Sequence, residues 1–74
     1  MNKSEEILKE IRKNNMEIVK KLDEIIELRK ENIEKCTTEG VFSLILDDNC
    51  NGITNILGAK TIMKKEIDII NDLL

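Results

Sequence analysis

The stretch ILKEIRKNNMEIVKKLDEIIELRKENIEKC, residues 7–36, decides the fold. Successive side chains of a helix stand 100° apart. On that wheel Ile7, Leu8, Ile11, Ile18, Val19, Leu22, Ile25, Ile26, Ile33 and Cys36 fall inside one arc of roughly 120°. Among the large apolar residues only Met16 and Leu28 lie outside it. A strand, with its period of two, does not produce this spacing. The stretch therefore predicts a helix from about residue 4 to residue 36, ~50 Å long. Ser4, or Asn2 with Glu5 three residues on, can cap its start, and Glu5-Glu6 suits the positive end of the helix dipole. Glu5/Lys9, Glu17/Lys21 and Glu31/Lys35 stand four apart in the favourable order for ion pairing.

Inside this stripe Leu8, Asn15, Leu22 and Arg29 take the a positions of a coiled-coil heptad, and Ile11, Ile18, Ile25 and Asn32 the d positions. Val19, Ile26 and Ile33 at e widen the stripe beyond a two-stranded seam, which predicts a bundle of three or more helices. A buried Asn at an a position fixes register and oligomer state at a cost in stability. Asn15 and Arg29 thus read either as a partner-selecting polar pair or as the end of a helix projecting into water.

Past the long helix the periodicity breaks at Thr37-Thr38-Glu39-Gly40. Val41-Phe42-Ser43-Leu44-Ile45-Leu46 is a short apolar run that pattern alone leaves open between a short helix and a strand. Asp47-Asp48-Asn49-Cys50-Asn51-Gly52 reads as a turn, so residues 37–52 are expected to form a connector. Asp47, Asn49, Asn51 and Gly52 also match the start of D-x-[DN]-x-[DN]-G, and here the chain resembles a calcium loop of the EF-hand type. That family places a bidentate acid at the twelfth loop position. Gly58 stands there in this chain, so a polar turn is the expectation and no metal is assigned.

The last third, about 53–74, is expected to be a second helix. Ile56, Ala59, Met63, Ile67, Ile70 and Leu74 line one stripe, flanked by Ile62, Ile69 and Leu73, across an arc of roughly 160°. Lys60, Lys64, Lys65, Asp68, Asn71 and Asp72 are assigned to the opposite, polar side. One neighbouring helix does not cover so wide an arc. The fold expected is all-α or nearly so: a single small domain in which a long N-terminal helix folds back on a C-terminal helix as a hairpin that oligomerises into a bundle. At ~25–34 Å the second helix is too short to cover the first, and the uncovered length of stripe is expected to associate.

Composition narrows the function. The chain has 74 residues, 36% of them charged and 41% hydrophobic, with no His, Trp, Tyr or Pro and one aromatic, Phe42. Without His, the commonest general base and metal ligand is missing, and no Ser-His-Asp or Cys-His set can form. The three Gly residues make neither a GxGxxG nor a P-loop. An enzyme is not expected, and no cofactor is called for.

Residues 1–36 carry nine basic and nine acidic side chains, and residues 37–74 three and six, for a net charge of −3. That balance lacks the one-sided basic field of direct nucleic-acid or membrane-surface binding. The longest uncharged run, Asn49 to Ala59, is 11 residues, well short of a membrane span. The early acids argue against a secretory leader, so a cytoplasmic location is expected. Cys36 and Cys50, in neither CxxC nor zinc spacing, are expected to be unpaired thiols.

The function expected is a non-enzymatic protein–protein interaction module: a small helical adaptor, inhibitor or regulator. It would form a homo-oligomer, dimer or higher, or engage a heterologous protein. Its interface is expected at Leu8, Ile11, Asn15, Ile18, Leu22, Ile25 and Arg29 on the first helix and at Met63, Ile67 and Ile70 on the second. The alternative is an oligomer binding a small molecule or ion between chains near residues 40–55. Asp47, Asp48, Asn49, Asn51, Thr54 and Asn55 gather oxygens and amides there.

Overall fold

The computed structural model describes residues 2–39 and 43–74. Two helices account for nearly all of them, α1 (Lys3–Glu39) and α2 (Ser43–Leu73), packed side by side as a hairpin 57 Å long. The all-α hairpin expected from the periodicity is the fold observed, with no strand among the described residues.

α1 begins where Asn2 caps it, its Oδ1 accepting the Glu5 backbone N–H at 2.8 Å. It runs past the expected end at 36. Thr37 stays helical with its hydroxyl donating to the Ile33 carbonyl at 2.9 Å. The expected ion pairs four residues apart do not close among the described residues. Lys30–Glu27, three apart, and Lys60–Asp23, between the helices, form instead.

The connector expected over 37–52 is a correction the structure makes. α1 continues through Glu39 and α2 starts at Ser43, so both Thr37-Thr38 and the turn-like 47–52 are helical. Of the apolar run at 41–46, residues 43–46 belong to α2, and Gly40, Val41 and Phe42 lie outside the described residues. Asn, Asp and Gly each cost a helix from a few tenths to about 1 kcal/mol relative to Ala. Tertiary packing supplies most of a helix's stability, and here Leu46, Ile53 and Ile56 are drawn against α1 on both sides of the polar stretch. Asn49 does not terminate the helix. It is buried, and its amide donates back to the Ile45 carbonyl at 2.8 Å.

α2 is therefore 31 residues, ~46 Å at 1.5 Å each, against ~55 Å for α1. The expected overhang largely disappears. What α2 leaves uncovered is a side of the hairpin, along its length.

Candidate interaction face

The seam between the helices follows alternating steps of three and four. On α1 the residues turned toward α2 are Leu8, Arg12, Asn15, Val19, Leu22, Ile26, Arg29, Ile33 and Cys36, all buried or half-buried. On α2 they are Leu46, Asn49, Ile53, Ile56, Lys60, Met63, Ile67 and Ile70. The seam thus takes the positions expected as a and e. Ile18 and Ile25, expected at d, stay 41% and 40% exposed, while neighbouring Ile26 is 6% exposed. The stripe on α1 is wide enough for two faces, and the hairpin consumes one of them.

The seam itself is unusually polar. Lys60, assigned by periodicity to the polar side of α2, lies half-buried in it with its ammonium on Asp23 at 2.5 Å, as a long stem allows. Arg12 donates from Nη1 to Asn71 Oδ1 at 2.8 Å. Toward the C-terminal end of α1, Arg29 Nη1 and Asn32 Nδ2 both donate to Asn49 Oδ1, at 3.5 and 3.3 Å. Arg29 Nε and, farther along, Asn15 Nδ2 are buried with no hydrogen-bond partner among the described residues. Among the described residues the hydrogen-bond contact of Arg29 is the Asn49 amide.

With five polar side chains in the seam, little apolar surface is sealed inside. Among the described residues Ile26, Cys36 and Ile70 are the buried hydrophobic ones, and none of the large side chains is fully enclosed. The total accessible surface is 5736 Å². A compact monomer of 8.5 kDa exposes about 4,650 Å² by the usual scaling, so the hairpin carries roughly 1,100 Å² in excess.

That excess is not evenly spread. In an antiparallel pair, the positions flanking the seam on one side of one helix adjoin the same side of the other. On one side, Ile11, Ile18 and Ile25 of α1 adjoin Ala59, Glu66 and Leu73 of α2, with Ile7 and Leu28 and then Ile62 and Ile69 just outside them. Ile7, Ile18, Ile25, Leu28, Ile62, Ile69 and Leu73 are all exposed. The other side is mixed: Lys9, Met16, Asp23 and Lys30 adjoin Cys50, Leu57, Lys64 and Asn71. An open cleft there, lined by Arg12, Met16, Val19, Lys64, Ile67, Asp68 and Asn71, has Arg12 already engaged by Asn71.

The structure divides the expected interface residues. Leu8, Asn15, Leu22, Arg29, Met63, Ile67 and Ile70 are spent within the chain, on the seam. Ile18 and Ile25 lie on the open apolar face, and half-buried Ile11 sits at its inner edge. Sequence reasoning placed Ile62, Ile69 and Leu73 only as a flank and left Leu28 outside the stripe. Ile62, Glu66, Ile69 and Leu73 repeat the seam's rhythm one position over, a relation that shows only once the hairpin register is known.

The polar set near 40–55 does not converge within the chain. Asp47, Asp48, Asn51, Thr54 and Asn55 are exposed around successive turns of α2, and Asn49 faces the seam. Among the described residues no group of three His, Cys, Asp or Glu is placed to hold a metal ion. Cys36 and Cys50 are both free, the first buried and the second exposed. Among the described residues no helix is long and apolar enough to cross a membrane. No protein-family model, curated protein or solved structure matches the chain.

Proposed function

We propose that this chain is a non-enzymatic protein–protein interaction module that works through the open apolar face of its hairpin. One observation carries the reading: a row of exposed Ile and Leu side chains runs along a single side of both helices, while the opposite side is mixed. Contiguous apolar patches beyond a few hundred Å² are rare on monomers and mark contact sites. The polar seam supports the same reading, because a hairpin that seals so little gains stability from covering its second face. Docking of an amphipathic helical surface against apolar partner helices needs no other chemistry. In this role the chain acts as an adaptor, inhibitor or regulator, and binding is its whole activity.

The test is an Ile18→Glu, Ile25→Glu double variant. Both positions are already exposed, so the hairpin keeps its helix content by circular dichroism. The wild type is compared with it by sedimentation of the purified protein and by cross-linking in the producing cells. Association in the wild type that disappears in a fully helical variant supports the function. Association that survives in the variant sinks it. The Leu22 position is unsuitable for this purpose, since it lies in the seam and a charge there unfolds the hairpin.

A further inference from the structure

We infer that the occupant of the open face is a second copy of this chain, with α1 of each copy laid over α2 of the other to form a four-helix bundle. The inference rests on the interaction reading above and adds the partner and its orientation.

Area comes first. The hairpin's side measures 57 by 14 Å between backbone extremes, an outline on the order of 800 Å² with room for the ~800 Å² that each partner of a standard stable interface buries, and the apolar stretch from Ile7 to Leu28 takes up ~32 Å of its length. A like hairpin matches that length end to end. Symmetric pairing is also the commonest way for a chain to cover its own patch.

Charge then selects the orientation. Between Ile7 and Leu28 on α1, and between Ala59 and Leu73 on α2, the face carries two charged side chains, Lys21 and Glu66. Arg12 meets Asn71 and Asp23 meets Lys60, so residues at one height sum to about 83. Glu66 is then level with Glu17 and within about one helical turn of Lys21 in height. A twofold axis along the hairpin preserves height and exchanges the helices, which brings Glu66 of one copy beside Lys21 of the other. It also sets Ile25 over the other copy's Ala59, bulk over a small side chain. A twofold across the hairpin at its mid-length lays α1 on α1 and brings Lys21 beside Lys21, two like charges in an apolar layer.

The test is sedimentation equilibrium of the purified chain at micromolar concentration, with Lys21→Glu, Glu66→Lys and the double swap alongside. The expected mass is about 17 kDa, twice the 8.5 kDa chain. Each single reversal is expected to weaken the dimer about tenfold, and the double swap to recover most of the loss. A dimer whose double swap shows no recovery overturns the α1-over-α2 packing. A monomer with full helicity overturns the second copy as occupant. In that case face-dependent cross-linking in cells keeps the interaction reading, and its absence removes both.

Discussion

Gly52 lies directly under the guanidinium of Arg29: a methyl group built on its Cα collides with Cζ and Nη1 and comes within 2.8 Å of Nε. The glycine that reads as a turn residue is thus a seat for a side chain from the opposite helix. Arg29 reaches over it to Asn49, which also receives Asn32. Two effects oppose each other when Gly52 becomes Ala. The helix gains about 1 kcal/mol in propensity, and Arg29 is pushed off its seat. In an Arg29→Ala background only the first effect remains. There Gly52→Ala is expected to raise the unfolding free energy by about 1 kcal/mol, and in the wild type by clearly less. Urea melts of the four proteins measure the difference, and equal gains in both backgrounds would mean that the seat has no energetic weight.

Asn15 presents a different kind of polar group. It is 7% exposed, and its Nδ2 has no hydrogen-bond partner among the described residues. A buried donor left unpaired costs on the order of 1–3 kcal/mol. Asn15→Leu fills the same seam position with an apolar side chain and removes that cost, so the unfolding free energy is expected to rise by about 1–3 kcal/mol. A fall in melting temperature would show that Asn15 is satisfied in solution.

How much of this was legible in the sequence depends on which interaction decided each element. α1 was legible because thirty residues of uninterrupted periodicity leave one solution. The division of its stripe into seam and open face was not. Ile25 and Ile26 are adjacent and chemically identical, and which of them turns inward is fixed by α2. The stretch 47–52 misled because local preference there points to a turn, while Leu46, Ile53 and Ile56 on either side pull it into a continuous helix. Lys60 misled for a related reason: its charge suggests solvent, but a long stem lets it cover the seam and still reach Asp23. Of the open apolar face, Ile11, Ile18 and Ile25 could be read from spacing alone. Their neighbours on α2 needed the hairpin register.

The thiols give a check on that register close to the C-terminal end of α1. Cys36 is buried in the seam and Cys50 is exposed on the mixed side. A thiol must be accessible to react, and a buried one is inert. A maleimide or aromatic disulfide reagent is expected to modify Cys50 rapidly and Cys36 only as fast as the hairpin opens, with both reacting at once in denaturant. Two equally fast thiols in the native chain would mean that the helices are not closed at the Cys36 level.

Ile25 and Ile26 provide the sharpest separation of folding from association. Ile26 is 6% exposed and belongs to the seam, and Ile25 is 40% exposed and belongs to the face. Truncating a buried Ile to Ala typically costs 2–5 kcal/mol, less where neighbours collapse into the gap. Ile26→Ala is therefore expected to lower the unfolding free energy of the hairpin by about 2–3 kcal/mol. At Ile25 the side chain is already largely in water within one chain, so Ile25→Ala is expected to leave the helix content of a dilute sample intact. Its effect should appear in association, weakening it by about 1 kcal/mol or more per chain as the buried area is lost. Circular dichroism melts at two protein concentrations, read together with sedimentation, distinguish the two. A melting temperature that depends on concentration in the wild type and less so in Ile25→Ala is the expected pattern. If Ile25→Ala instead destabilised the chain equally at every dilution, Ile25 would belong to the seam and not to the face.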